Sequence, residues 1–173
     1  MKRVAKFEKV SFEQFCKGAE DLFNSISNVS TDIVDMESMY NEIKLPKRAT
    51  KFSAGYDFCT PFGFELDPGE TIKIPTGIRC GMNTSWVLML YPRSGLGFKY
   101  KVRLNNTVGI VDADYYFSDN EGHIFIKITN EGDKPVKVKT GDAFAQGIFM
   151  EYGITEDDRV EESRNGGMGS TDK

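Results

Sequence analysis

Residues 86–91, Trp-Val-Leu-Met-Leu-Tyr, are an apolar run without alternation. Such a run predicts a central strand of a β sandwich, with both faces of the strand buried. Shorter segments around it alternate between apolar and polar residues, and residues such as Asp-Pro-Gly-Glu and Glu-Gly-Asp-Lys between them signal turns. The alternating segments are 71–74 and 136–139, and the other predicted strands are 4–10, 123–129 and the apolar segment 143–152. Many short strands at this spacing predict an all-β sandwich or jelly roll.

The hydrophobic period changes after the first predicted strand. Ser11 to Gln14 resembles a capping box, in which Ser caps a helix and Gln reaches back to the Ser backbone. Apolar residues then follow at helical spacing through Ile26, and a weaker helical pattern covers 31–43. We therefore predict that residues 11–43 are a helical insert on the β scaffold, with an apolar face that packs on the core.

Composition places the chain in an ordinary globular class. It has 173 residues, 39% hydrophobic and 28% charged, so we predict one domain over 1–173 with a C-terminal arm at 153–173 that is flexible. No apolar run has membrane-spanning length, and the start lacks the hydrophobic core of a signal peptide. We expect a cytoplasmic protein with no membrane contact.

Three classes of site are disfavoured by the sequence. The net charge of −4 argues against direct nucleic-acid binding. The three cysteines are widely spaced, so we expect free thiols and no zinc site. The single histidine, His123, excludes mechanisms that need two, and we expect it to be an ordinary residue at a strand edge.

Residues 105–115, Asn-Asn-Thr-Val-Gly-Ile-Val-Asp-Ala-Asp-Tyr, are the best candidate for chemistry. Asn and Gly permit a tight turn, apolar residues would hold it rigid, and Asp112 would lie at its edge as a base that activates water. Taken alone, the stretch also fits a plain strand and turn.

Four other stretches are weak individually. Residues 92–97 follow the central strand with Arg, Ser and two glycines, which suits phosphate as well as a simple turn. Residues 54–57 offer a carboxylate beside a glycine, and 141–146 carry one amide on an apolar segment. Residues 164–171 combine Arg, Ser and Thr with glycines, as in an arm that wraps phosphates.

Taken together in this order, the five stretches resemble the five motifs of the trimeric dUTPases, from about Lys44 to the C-terminus. The insert at 11–43 is similar to elaborations in some bacterial and phage-type members. The resemblance implies a β jelly roll that assembles as a homotrimer with active sites shared between subunits. It also implies Mg²⁺-dependent hydrolysis of dUTP to dUMP and pyrophosphate, which keeps uracil out of DNA and supplies dUMP for thymidylate synthesis.

The resemblance also implies roles for individual residues. Asp112 matches the carboxylate that deprotonates the water attacking the α-phosphorus. Asn106 and the backbone of Gly109, Ile110 and Val111 match the hairpin that binds uracil, and Tyr115 matches the aromatic residue that excludes a 2′-hydroxyl. Asp57 matches an acid that organises the metal's water shell without binding the metal directly. The residues that match phosphate ligands are Arg93, Ser94, Gly95, Gln146, Arg164, Gly169, Ser170 and Thr171.

The arm departs from the family pattern at Met168. The family usually places a Phe there, which stacks on uracil, and the arm here is one residue shorter. A Met thioether covers a ring less rigidly than Phe, so we expect weaker closure and a raised KM. Met168→Phe should lower KM for dUTP in steady-state assays; unchanged KM and kcat would refute this expectation.

A second departure lies at 117–122, where many members place a Gly soon after the Tyr. We interpret these residues as a lengthened turn that leaves the site residues untouched and alters trimer contacts.

Two other functions remain open on the sequence alone. A dCTP deaminase shares the fold and needs a Glu on the strand after the third motif, but residues 124–129 contain no acid. A regulatory module that binds a protein partner through the same fold is suggested only by the insert and Met168. Assays with dUTP and dCTP would separate these functions.

Overall fold

The computed structural model describes residues 1–25, 35–162 and 164. The predictions for 26–34, Met168, Gly169, Ser170 and Thr171 fall outside these residues. Twelve strands lie in the described part: β1 Ala5–Lys9, β2 Lys47–Arg48, β3 Tyr56–Cys59, β4 Phe64–Leu66, β5 Thr71–Pro75, β6 Ile78–Met82, β7 Trp86–Pro92, β8 Val102–Leu104, β9 Gly109–Val111, β10 Phe125–Asn130, β11 Val136–Val138 and β12 Ala143–Glu151. The helices are α1 Phe12–Ser25, α2 Met36–Glu42, α3 Ser94–Tyr100 and a 3-10 helix at Ala113–Phe117.

The predicted all-β sandwich of the jelly-roll type is confirmed. The largest sheet has the order β2-β3-β12-β7-β9, and a second has the order β5-β10-β8. Two-stranded pairs, β1-β6 and β11-β4, complete the structure. All pairings are antiparallel. Inward-facing residues of both large sheets form one buried cluster, which includes Leu88, Leu90, Phe144, Ile72, Ile74, Ile126 and Ile128.

Strand β7 is central in its sheet, as predicted, but its burial is one-sided. Leu88 and Leu90 are buried in the core, whereas Val87, Met89 and Tyr91 on the other face remain partly exposed. The expectation that both faces are buried is therefore wrong for the single chain, because the outer face of the sheet lies at the surface. An apolar run alone does not distinguish a second core face from a face available for other contacts.

The N-terminal helices pack on the sandwich. Phe15, Ala19 and Leu22 of α1 are buried, and α1 packs against β5. Helix α2 begins after Asp35, whose side chain accepts a hydrogen bond from the Ser38 backbone N–H at 3.1 Å, so it is shorter than predicted. None of the described helices is long and apolar enough to span a bilayer.

The cap of α1 differs from the predicted capping box in one bond. The Ser11 hydroxyl accepts from the Gln14 N–H at 3.1 Å, as expected. The Ser11 N–H, however, donates to the Glu121 carboxylate at 2.8 Å, and the Ser11 hydroxyl donates to the same carboxylate at 2.6 Å. A carboxylate 110 residues away thus takes the place assigned to Gln14.

His123 is fully buried, so its interpretation as an ordinary strand-edge residue is wrong. Its Nε2 accepts a hydrogen bond from the Gly77 N–H at 2.9 Å, which puts the ring proton on Nδ1. A Cβ on Gly18 of α1 would lie 2.8 Å from the imidazole, so α1 covers the ring closely. Burial lowers the pKa of His123 to about 4, from 6.5. The histidine is therefore a neutral core residue beneath α1.

We expect this histidine to make the fold sensitive to acid. The His123 imidazole takes up a proton near pH 6.5 in the unfolded chain but only near pH 4 in the folded chain. Its contribution to the free energy of unfolding is therefore complete above pH 6.5 and is lost as the pH falls toward 4. The free energy of unfolding should be about 2 kcal/mol lower at pH 5 than at pH 7.5. Urea unfolding at pH 7.5 and pH 5 measures it. His123→Gln, which removes the chain's one histidine, should lose markedly less over this interval; an equal loss would contradict the assignment.

Candidate active site

Strand β9 offers an open backbone edge beside the best candidate carboxylate. It is the last strand of its sheet and pairs, among the described strands, with β7 alone. A Cβ on Gly109 would lie 3.0 Å from the Leu90 Cβ, so glycine permits the close approach of the two strands. An edge strand leaves alternate N–H and C=O groups unpaired. Such groups, with the exposed Asn106 side chain and the exposed Ile110, can bind the hydrogen-bonding edge of a planar base.

Asp112 follows β9 directly and is held by a cation. Its Oδ2 accepts a hydrogen bond from Nη2 of Arg164 at 2.9 Å, and Nε of the same guanidinium lies 3.3 Å from Asp114 Oδ1. Two carboxylates thus share one positive charge. The Asp112 side chain is half exposed, whereas that of Arg164 is largely buried. Asp112 is therefore both oriented and accessible to water, as a general base requires.

Tyr115 is immobilised beside this pair. Its hydroxyl donates to the His123 carbonyl at 2.7 Å and accepts from Nδ2 of Asn120 at 2.9 Å. Only 4% of the residue is exposed, and burial raises the pKa of the hydroxyl above its ordinary value. The Arg164 guanidinium lies 5.5 Å from the ring centroid. The donated and the accepted hydrogen bond at the hydroxyl therefore fix the position of the ring.

The turn after Tyr115 supports the site, contrary to expectation. We expected 117–122 to leave the site residues untouched, but Asn120 bonds the Tyr115 hydroxyl. Gly122, at φ +70°, lies so close that a Cβ there would be 2.8 Å from the Tyr115 carbonyl oxygen. The interpretation was wrong because a longer turn folds back over the 3-10 helix that carries Tyr115.

A second cluster forms at the other end of β7. Asp57 and Gln146 are opposite each other on β3 and β12, so both side chains lie on one face. The Arg93 Nε is 3.4 Å from Asp57 Oδ1, and the Gln146 amide donates to the Pro92 carbonyl at 3.4 Å. A Cβ on Gly55 would lie 2.5 Å from the Gln146 amide oxygen, so glycine leaves the room that this amide occupies.

Helix α3 adds backbone donors to this cluster. Arg93 is its N-cap, and Ser94 and Gly95 form its first turn. N–H groups in a first turn have no partner within the helix, so they can bind an anion. The loop predicted at 92–97 is thus the start of a short helix, and its chemistry remains suited to phosphate.

The two clusters cannot meet within one chain. Val111, next to Asp112, pairs with Leu88, whereas Arg93 follows the opposite end of β7. At about 3.3 Å per residue, the Asp112 and Arg93 backbones are about 20 Å apart. The structure therefore brings Asp112, Tyr115 and Arg164 together, and Asp57, Arg93 and Gln146 together, at separate places.

The sequence argument missed two residues at the first cluster. Asp114 shares the guanidinium with Asp112, and its spacing in Asp-Ala-Asp was a signal available in the sequence. Asn120 contacts the Tyr115 hydroxyl from within a turn, and no local pattern indicates that contact.

Sequence comparison matches most of the chain to known proteins. The family model described as dUTPase matches residues 41–172. A Lactococcus lactis protein named deoxyuridine 5′-triphosphate nucleotidohydrolase is 41% identical over 132 residues, which cover 75% of this chain and 88% of that protein. The protein of the same name from Haemophilus influenzae is 38% identical over 141 residues, or 77% of this chain and 90% of that protein.

Solved structures show the same fold. The dUTPase from Streptococcus mutans has a TM-score of 0.60 and 37% identity, covering 67% of this chain and 91% of that chain. The dUTPase from phage phi11 of Staphylococcus aureus has a TM-score of 0.59, covering 72% of this chain and 94% of that chain. Its identity is 22%, so it supports the fold alone.

Proposed function

The chain belongs to the dUTPase family, and we propose that it hydrolyses dUTP to dUMP and pyrophosphate with Asp112 as the general base. It is an enzyme, a dUTP diphosphatase. The observation that carries the mechanism is the succession, within 109–115, of an open strand edge, an oriented carboxylate and an immobilised aromatic ring.

Asp112 takes a proton from a water whose oxygen attacks the α-phosphorus. The bond between the α-phosphorus and the bridging oxygen breaks, and its electron pair leaves with pyrophosphate. The edge of β9 and the Asn106 side chain hold uracil by hydrogen bonds that cytosine would leave unpaired. A 2′-hydroxyl would clash with the Tyr115 ring. The two hydrogen bonds at the Tyr115 hydroxyl keep the ring from moving away.

The second cluster suits the phosphate chain. Arg93 provides a fork of donors, Ser94 and Gly95 provide backbone N–H groups, and Gln146 provides an amide. Arg164, Gly169, Ser170 and Thr171 would close over the triphosphate, with Met168 against the base. Closure excludes water from the charged groups and strengthens their interactions.

The donor set fits Mg²⁺ that is bound mainly by substrate. No three described Asp, Glu, His or Cys side chains form a cluster that could hold a metal. Mg²⁺ commonly keeps several waters and binds through substrate phosphates with one or two carboxylates nearby. Asp57 is the carboxylate at the phosphate cluster and would order the metal's waters. When bound, the metal neutralises charge on the phosphates and the leaving pyrophosphate.

The distance between the two clusters supports a site that is shared between copies. The β-phosphate is one bridging oxygen from the α-phosphorus and the γ-phosphate is two, so the triphosphate cannot span about 20 Å within a chain. We propose that the phosphate cluster comes from another copy in the homotrimer that the family implies. The partly exposed apolar face of β7 is available for contacts between copies.

The wider role follows from the reaction. Removing dUTP keeps uracil out of DNA, and the dUMP formed supplies thymidylate synthesis. A single domain over 1–173, working in the cytoplasm without membrane or direct nucleic-acid binding, fits this role.

The direct test is release of pyrophosphate from dUTP and from dCTP, each with Mg²⁺ and with a chelator. We expect release from dUTP alone and only with Mg²⁺. Ammonia release from dCTP would indicate a deaminase instead, and no reaction with either nucleotide would refute the proposal.

A further inference from the structure

The N-terminal segment and the sugar-excluding tyrosine are joined by a continuous chain of contacts. Ser11 caps α1 and lies before the region matched by the family model, which begins at residue 41. Both its N–H and its hydroxyl donate to the two oxygens of the Glu121 carboxylate. Glu121 lies between Asn120, which bonds the Tyr115 hydroxyl, and Gly122, where a Cβ would lie 2.8 Å from the Tyr115 carbonyl oxygen.

The backbone of this turn needs support from outside. Glu121 has φ +57°, a left-handed conformation that is unfavourable for a residue with a side chain. The turn also carries the hydrogen bond from the Glu121 N–H to the Ser118 carbonyl at 2.8 Å. The paired hydrogen bonds from Ser11 fix the Glu121 side chain, and they hold the pKa of its carboxyl below the ordinary value. A charged acceptor makes these bonds stronger than neutral ones.

Two further residues, one on β1 and one on β6, anchor Tyr116, which lies in the same 3-10 helix as Tyr115. The Tyr116 hydroxyl donates to Glu8 of β1 at 2.6 Å. Arg79 of β6 donates to the Tyr116 carbonyl at 2.9 Å and lies over its ring at 3.7 Å. The residue after Tyr115 is thus anchored independently, so the contact between Ser11 and Glu121 acts mainly on the hydroxyl end of Tyr115.

We propose that the contact between Ser11 and Glu121 is a positioning device, through which the N-terminal segment fixes Tyr115 and sets the rejection of ribonucleotides. The proposal rests on the proposed function. The positioning residues are Ser11, Asn120 and Glu121. Loss of the contact frees the turn, lets the Tyr115 hydroxyl shift, and admits a 2′-hydroxyl. The effect is therefore a change of specificity more than a loss of fold.

The test compares kcat/KM for dUTP and UTP in the full chain. Ser11→Ala and Glu121→Gln should each lower the dUTP-to-UTP ratio by about tenfold, the size expected for a lost charge-assisted hydrogen bond. The dUTP-to-UTP ratio of the double variant should be no lower than that of the more severe single variant, because both substitutions remove the same contact. Ser11→Thr keeps the hydroxyl and should retain the ratio.

Glu13→Gln is the matched control, because it removes an exposed carboxylate from the first turn of α1 where the partner is Lys17. It should leave the ratio unchanged. A lower Tm in Ser11→Ala and Glu121→Gln with an unchanged ratio, or equal losses for dUTP and UTP, would overturn the proposal. Absence of dUTP hydrolysis in the unaltered protein would instead refute the proposed function.

Discussion

Asp112→Asn should strongly reduce kcat for dUTP hydrolysis while dUTP still binds. The amide has nearly the shape of the carboxylate but cannot take a proton from water, so kcat should fall by about 10²- to 10⁴-fold. The Kd for dUTP should change little, because the variant leaves intact the edge of β9 that binds uracil and the Tyr115 ring beside the sugar. Single-turnover kinetics and direct titration with dUTP measure the two effects separately.

Two neighbouring carboxylates serve as controls for this variant. Asp119→Asn removes the same charge from an exposed residue seven positions along the chain, and its kcat should stay near that of the unaltered enzyme. Asp114→Asn removes the second partner of Arg164 but not the base, so kcat should fall less than it does in Asp112→Asn. If Asp112→Asn keeps kcat within about threefold, Asp112 does not supply the general-base contribution expected of it.

Six of the twelve described strands and the first helix were predicted, because their signals are local. Alternation over 71–74 and 136–139 corresponds to β5 and β11, and the helical spacing after Ser11 corresponds to α1. A strand or an amphipathic helix is specified by residues close in sequence, since its side chains repeat with the period of its backbone. Sequence order alone was also enough to associate the motifs with one family.

Contacts between distant segments were not predictable in this way. Glu121 replaces Gln14 at the Ser11 backbone because the turn folds over the N-terminus, and nothing near either residue indicates that meeting. His123 was misinterpreted for the same reason: α1 covers it through Gly18, about 100 residues earlier. A histidine beside a strand is commonly exposed, and only the packing of a distant helix makes this one a neutral core residue.

The arrangement of the candidate site was only partly foreseen. Asp112 and Tyr115 lie together, as their closeness in sequence requires. Arg164, predicted as a phosphate ligand, bonds Asp112 in the single chain, where its charge offsets that of two carboxylates. A triphosphate would offer Arg164 a more highly charged partner, so the same side chain can hold the base before binding and contact phosphate afterwards.

Two inactive variants should restore activity when they share an oligomer. Asp112→Asn lacks the base and Arg93→Ala lacks the guanidinium proposed to bind phosphate, so an oligomer of either variant alone should be inactive. In the proposed trimer, a mixed oligomer has an intact site where residue 112 comes from the Arg93→Ala chain and residue 93 from the Asp112→Asn chain. With equal, random mixing and closed cyclic symmetry, about one quarter of the sites should be intact.

The experiment needs coexpression with two different affinity tags, so that mixed oligomers are isolated before assay. A mixture of Asp112→Asn chains carrying both tags is the matched control and should remain inactive. In the proposed cyclic trimer each isolated mixed oligomer has one intact site out of three, so recovery to about one third of the unaltered activity requires that the two clusters in each site come from different chains. If purified mixed oligomers stay inactive, the clusters must act within one chain, and the about 20 Å between Asp112 and Arg93 along β7 would have to close by a rearrangement of the sheet. Because that sheet is held by the continuous pairing of β12 with β7 from Trp86 to Pro92, recovery is the expected result.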